Sequence, residues 1–304
     1  MSFRYPGGKS KIKKQIIARI RRFYKGHYDV EYVEPFAGAL AIGTTLLKSI
    51  PLRKICINDR DPGISAFWNS VINFAPELYK LIDDFTPSVE KFYTFKETLK
   101  DESICLHIED LISRFSSEYV EFGFMKLAIH QISYSGLGTQ SGGPLGGKEQ
   151  TSNYKIDCRW NAPYIKNKIM RYHFLLQKLQ IRGRKCFCSD FSTILRESSN
   201  SFVYLDPPYY EKGPELYQFH FRERDHLSLA DLLSKMKFPW LLSYDCNDTI
   251  KEMYNWASMI ELNLNYTINT SRNKKELLIA PVKYKYLLDS VEEEIDIFAE
   301  EGGE

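Results

Sequence analysis

Cysteine is scarce and badly spaced for metal. The six cysteines of this 304-residue chain, at 56, 105, 158, 186, 188 and 246, make no Cys-x-x-Cys pair. That excludes a zinc ribbon, offers no disulfide framework and fits a reducing compartment; no metal site is expected. Only Cys186 and Cys188 lie close, at the two-residue period of a strand. No apolar run approaches the roughly 20 residues of a membrane span. The opening MSFRYPGGK has no apolar stretch behind its charges, so no secretory signal is expected. Acid is missing from the first 28 residues, which hold nine Lys or Arg, and base is missing from residues 289–304, which hold eight acids. The net charge of +2 thus hides 41 basic against 31 acidic residues over 1–288, a charge of +10. Such a body suits a polyanion partner, and equally a solvated basic face.

Aromatic residues are plentiful, with 20 Tyr and 19 Phe, and 43% of the chain is apolar, enough for one large domain with an elaboration. Short runs rich in Val, Ile, Tyr, Phe and Leu predict strands over 31–36, 54–59, 185–191, 201–209, 239–246, 259–269 and 276–284. Helical stretches fall between them, over 11–24, 41–48, 63–73, 226–236 and 249–256. The alternation predicts an α/β fold, a mostly parallel sheet with helices on both faces. About 125 residues separate the second strand from the third, far more than one crossover helix needs. A mostly helical insertion over 74–175 is expected there, containing an irregular stretch over 133–161 with Gly at 136, 138, 142, 143, 146 and 147. A long Gly-rich loop in a compact protein is a candidate binding segment or a surface excursion.

Four motifs carry candidate chemistry. YLDPPY at 204–209 ends an apolar strand with an acid, two prolines that stop the ladder and an aromatic ring. In open α/β sheets ligands sit beyond the carboxyl ends of strands. There Asp206 and the Pro207 carbonyl can accept from an exocyclic amine, and Tyr209 can stack on a flat base; a plain strand-end turn is the competing reading. VEPFAGA at 33–39 ends the first strand with small residues before a helix N-terminus. Asp59, in IND at 57–59, stands where an acid accepts from ribose hydroxyls, or where a turn or cap acid stands. RYPGGK at 4–9 sets a cation before a basic helix.

In this order, with RNKKELL at 272–278 closing the series, the motifs resemble the Dam-like family of DNA adenine-N6 methyltransferases over roughly residues 3–285. The resemblance implies a Rossmann-like S-adenosylmethionine methyltransferase sheet over 1–73 and 176–288, an inserted target-recognition subdomain over 74–175 and an acidic tail from 289. It implies S-adenosylmethionine as cofactor. Tyr5 and Lys9 would lie near its methionine end, Glu34, Phe36 and Gly38 in the cofactor loop, Asp59 on the ribose, Asp190 and Phe191 beside its adenine, and Asp206 next to both cofactor and target. Asp206, Pro207 and Tyr209 would be catalytic, acting on an adenine flipped out of double-stranded DNA. Lys14, Arg22, Ser135, Lys148, Arg159, Trp160, Asn161 and Arg272 would face the DNA, on a basic face that also takes in Lys11, Lys13, Arg19 and Arg21; Trp160 could equally anchor its loop. Two departures stand out. Leu40 occupies a place where relatives usually carry Gly, and is expected to crowd the cofactor loop. Ser135 replaces an Asn, so target choice does not transfer. The expected setting is bacterial or phage-encoded, cytoplasmic, and either restriction-associated or solitary. An RNA adenine methyltransferase and a non-catalytic nucleic-acid-binding protein on this fold remain the alternatives.

Overall fold

The computed structural model of the protein describes residues 12–264 and 274–291. The first half runs α1 (Lys13–Tyr24), β1 (Glu31–Glu34), α2 (Ala41–Ser49), β2 (Lys54–Asn58), α3 (Pro62–Asn73), α4 (Ala75–Asp84), α5 (Val89–Lys100), α6 (Glu102–Ser113) and α7 (Tyr119–Ile132). Two 3-10 turns (Tyr134–Gly136 and Gly138–Gln140) follow, then α8 (Ala162–Gln177), β3 (Gln180–Phe187), α9 (Phe191–Glu197) and β4 (Ser201–Leu205). The remainder is α10 (Gly213–Leu216), α11 (Glu223–Lys235), β5 (Trp240–Asp245), α12 (Asp248–Met253), β6 (Ser258–Leu264), β7 (Lys274–Ala280) and a 3-10 segment (Val282–Leu288).

The seven strands form one sheet in the order β3-β2-β1-β4-β5-β7-β6. β1, β2, β3, β4 and β5 pair in parallel, while β7 runs antiparallel between β5 and β6. Side chains alternate between two cores, as the strand period requires. Tyr32, Ile55, Ile57, Phe202, Tyr204 and Leu241 enter one core with α1, α2, α3 and the helices α4–α8. Val33, Cys56, Val203, Leu205, Trp240 and Leu242 enter the other with α9, α11 and α12. Both faces being covered explains why the central strands read as unbroken apolar runs. Strand order reverses between β1 and β4, which opens a crevice at their carboxyl ends, the position where such sheets hold ligands.

Two sequence expectations shift. The third strand starts at Gln180, five residues before the position expected, and stops at Phe187. It carries a bulge at Gly183 and Arg184 (φ 60° and 52°), across which its register with β2 jumps from Ile55–Ile181 to Ile57–Cys186. Cys188 therefore lies beyond the strand. The region between β2 and β3 supplies α4–α8, which share the first core with α3 rather than forming a separate one. α7 lies close on α3 because residue 123 is Gly: an added Cβ there would sit 2.6 Å from the Phe67 nitrogen and 2.7 Å from the Ala66 carbonyl carbon.

Candidate active site

A cavity of about 240 Å³ lies at the carboxyl ends of β1, β2 and β4. It is lined, among others, by Glu34, Phe36, Gly38, Asn58, Asp59, Asp190, Phe191, Tyr204 and Asp206. Seven residues assigned from separate stretches of sequence thus meet around one space: Glu34, Phe36, Gly38, Asp59, Asp190, Phe191 and Asp206.

β1 delivers Glu34 to the floor, almost fully buried. Its Oε1 accepts from the Gly43 N–H of α2 at 2.7 Å and from the Tyr32 hydroxyl. Burial nevertheless pushes its carboxyl up to about 8, against those two hydrogen bonds and with help from the charge of Asp206. Gly38, at φ 45°, turns its N–H onto Asp59 Oδ2 at 2.7 Å, and its carbonyl accepts from Trp68 Nε1 at 2.8 Å. Leu40 takes the left-handed backbone (φ 48°) expected of a glycine. Its side chain is fully buried in the first core and does not line the cavity, so the expected crowding of the loop does not occur.

β2 ends in Asn58, a residue the sequence reading passed over. Its Nδ2 donates to the Pro35 carbonyl at 2.8 Å and the Ser189 carbonyl at 3.1 Å, and its Oδ1 accepts from Ser189 N–H at 3.0 Å. One buried amide thereby ties together the chain ends after β1, β2 and β3; the Asn-Asp pair at a strand terminus was the available signal. Asp59 Oδ1 accepts from Asp61 N–H at 2.9 Å. Burial and the neighbouring Asp61 charge push the Asp59 carboxyl up to about 7, opposed by its N–H bonds and by Lys126. Asp190 caps α9, accepting from Ser192 N–H at 2.9 Å. Phe191 packs beside Phe36 (5.7 Å) and Phe221 (5.2 Å), so an aromatic wall flanks the space.

β4 supplies the other rim. Tyr204 and Ser243 hydroxyls lie 2.9 Å apart, and Ser243 Oγ donates to Asp206 Oδ1 at 3.3 Å. Pro207 is buried, while Asp206 and Tyr209 are half-buried; Pro207 and Tyr209 stand outside the cavity lining. Asp245 at the end of β5 holds the next turn, accepting from Tyr210 N–H at 3.0 Å. The chain then arches over the cavity through Tyr217, Phe219, His220 and Phe221, a roof no motif announced. This arch is fastened to the inserted helices: Gln218 accepts from Thr139 Oγ1 at 2.9 Å and donates to the Leu99 carbonyl at 2.8 Å. Gln140 donates to the Pro214 carbonyl at 3.3 Å.

The residues expected at DNA are dispersed. Lys14, Ser135, Lys148 and Asn161 are exposed, Ser135 with a left-handed backbone (φ 57°) and Asn161 as the cap of α8. Arg159 is half-buried, with its Nη1 buried and unbonded within the described residues. Three of the candidates are already engaged within the protein. Trp160 packs edge-on against Phe85 (4.7 Å) and Phe124 (6.2 Å), which makes it the anchor of its loop. Arg22 donates to the Tyr286 and Ser290 carbonyls at 3.1 and 2.8 Å, holding the C-terminal segment on α1. Arg19 is buried and bonded to the Gln15 carbonyl. Tyr5, Lys9 and Arg272 lie outside the described residues.

A mostly parallel sheet reversed at its centre, with a polar crevice at the reversal, acid-tipped strands and an aromatic wall, defines a Rossmann-like α/β fold. The D12 class N6 adenine-specific DNA methyltransferase family matches residues 5–268, and the chain belongs to that family. Among characterised proteins it is similar to the Type II methyltransferase M.MjaIII of Methanocaldococcus jannaschii, with 22% identity over 248 residues covering 77% of this chain and 78% of the relative. The family's chemistry is methylation of adenine N6 in DNA. No described helix is long and apolar enough to cross a membrane.

Proposed function

We propose that this chain transfers a methyl group from S-adenosylmethionine to N6 of an adenine flipped out of duplex DNA, at a defined sequence. The observation that carries this reading is the meeting of Glu34, Asp59, Phe191 and Asp206 in one cavity. Its chemistry fits the cofactor. Asp59 offers a carboxylate for ribose hydroxyls, the wall of Phe36, Phe191 and Phe221 suits a purine face, and Gly38 leaves the loop backbone open. When bound, S-adenosylmethionine supplies an electrophilic methyl group on a sulfonium.

The chain's own work is positioning. The N6 lone pair of adenine is delocalised into the ring and is a weak nucleophile. Asp206 and the Pro207 carbonyl would accept its two N–H bonds and turn the lone pair toward the cavity. Ser243, donating to Asp206 Oδ1, holds that carboxylate in place. Tyr209 would stack on the extruded base. The exposed Lys14 and Lys148 would contact phosphates, and Ser135, Arg159 and Asn161, with the rest of residues 133–161, would read base edges. The inserted segment is thus assigned to target recognition, and its bonds to the arch over the cavity support that role. The relative's naming as a Type II methyltransferase supports a restriction-associated setting. All six cysteines are free thiols, which suits a cytoplasmic one.

The test is incubation with methyl-labelled cofactor and mixed-sequence duplex, followed by mapping of the modified base. N6-methyladenine in one sequence context is expected, and none from Asp206→Ala with its fold and cofactor binding intact. Label on RNA alone, or activity of D206A within threefold of wild type, would overturn the reading.

A further inference from the structure

A lysine of the inserted segment is buried against the cofactor side of the sheet, outside the site described above. Lys126 on α7 is 3% exposed, and its ammonium lies 2.5 Å from Asp61 Oδ2. Burying a lysine is costly unless a charge partner meets it. The partner stands in a particular place. Asp61 Oδ1 caps α3 through the Gly63 and Ile64 N–H groups, and the Asp61 main-chain N–H donates to Asp59 Oδ1. Gly63 itself gives the lysine stem its room, since a Cβ there would sit 2.9 Å from Lys126 Cδ. The chain of contact is therefore Lys126, Asp61, Asp59, running from the inserted helix to the wall of the cavity.

From this juxtaposition we infer that Lys126 is a positioning residue for cofactor binding: by neutralising Asp61 it favours the charged form of the Asp59 carboxylate in the cavity wall. The inference rests on the reading of Asp59 as the ribose acceptor. The other groups near Asp59 do not replace the lysine. Arg60 is turned to Glu109 at 2.5 Å, and burial keeps the Cys186 thiol well above its usual value and hence neutral. Remove the ammonium, and Asp61 becomes an uncompensated carboxylate next to Asp59, so Asp59 holds its proton to higher pH. Remove the Asp61 charge instead, and Asp59 loses the neighbouring carboxylate that raises it.

Two variants test this with opposite signs, read by calorimetric titration of S-adenosylmethionine from pH 5.5 to 8.5. Cofactor binding weakens on the acid side in wild type as Asp59 takes up its proton. In Lys126→Met that acid limb moves up by about one pH unit, which weakens binding about tenfold at pH 6, while the kcat at saturating cofactor stays within threefold. In Asp61→Asn the cap on α3 is kept, since Asn caps as well as Asp, and the acid limb moves down. Each variant is decisive alone, so a folding failure of one leaves the other. A limb that stays within about 0.3 unit of wild type in a folded variant, or moves the same way in both, overturns the inference, because a purely structural pair has no reason to shift it. Wild-type protein that binds no cofactor at any pH would instead overturn the reading of the site itself.

Discussion

Leu40 shows how a single side chain can occupy a backbone position suited to glycine. The left-handed conformation costs an L-residue roughly 1–2 kcal/mol, while a fully buried leucine is worth about 2–5 kcal/mol against truncation. Packing wins over strain. Leu40→Gly should therefore destabilise the fold by about 2 kcal/mol net in denaturant titration, with cofactor affinity nearly unchanged because the side chain faces the core. A stabilised L40G would mean the strain dominates. Tyr209 sits half-buried at the rim. If its ring holds the target base, Tyr209→Ala should lower methyl transfer by roughly ten- to a hundredfold, and Tyr209→Phe only slightly. Equal damage from both would assign the role to the hydroxyl.

At the scale of elements, the crossing of α7 on α3 organises the cavity side of the molecule. Gly123 lets the two backbones meet, and the same pair of helices carries Lys126 and the Asp61 cap. Gly123→Ala meets main-chain atoms that cannot swing aside, so a loss at the upper end of about 1–3 kcal/mol is expected, visible as a lowered Tm. An unchanged Tm would show the helices to be further apart than described. The Gly-rich stretch after α7 is held by its own bonds, Ser133 Oγ accepting from Gly138 N–H at 2.9 Å and Tyr134 N–H donating to the Gly143 carbonyl at 3.0 Å. Its glycines serve turns at 136 and 138, where φ is 72° and 59°. It reaches the arch beyond Asp206 through Thr139 and Gln140, so the inserted segment and the roof of the cavity share hydrogen bonds.

Buried groups set a stability optimum for the whole molecule: Glu34 and Asp59, both raised, favour the folded state at low pH, and His226, lowered, favours it at higher pH. Glu34 has its folded pKa raised to about 8, so the folded state holds a proton that the unfolded state releases from about pH 4.5 upward. Its contribution to stability is thus lost as pH rises toward 8 and stays lost above it. His226 is lowered to about 4 by burial beneath Tyr210 and Phe221, where it meets the Tyr244 hydroxyl. The unfolded state then binds the extra proton between about 6.5 and 4, and stability falls as pH drops through that window. Thermal midpoints measured without cofactor should therefore be highest on the mildly acidic side, where the His226 and carboxyl slopes oppose one another, and fall from there toward pH 8. Glu34→Gln, which keeps the acceptor for Tyr32 and Gly43, should make the fall toward pH 8 shallower and leave the acid limb set by His226 unchanged. A wild-type curve that rises from pH 7 to 9 would show that Glu34 is not held neutral.

The sheet was legible because its information is local. Alternation at period two, apolar runs and acid or proline at strand ends follow from the backbone of the strand itself, so β1, β2, β4 and β5 fall where the residues place them. The motif residues Glu34, Asp59 and Asp206 were legible for the same reason: parallel strands deliver their carboxyl ends to one edge. Only the tertiary structure decided what depends on neighbours distant in the chain. The β3 bulge answers to the register of β2, and Asn58 matters because three chain ends converge on it. Basic residues look alike in a sequence, yet Lys14 is exposed, Arg22 clamps the C-terminal segment, Arg19 is buried and Lys126 pairs beneath the cofactor wall. A charge acquires its role from the dielectric and the partner around it, and both are properties of the packed molecule.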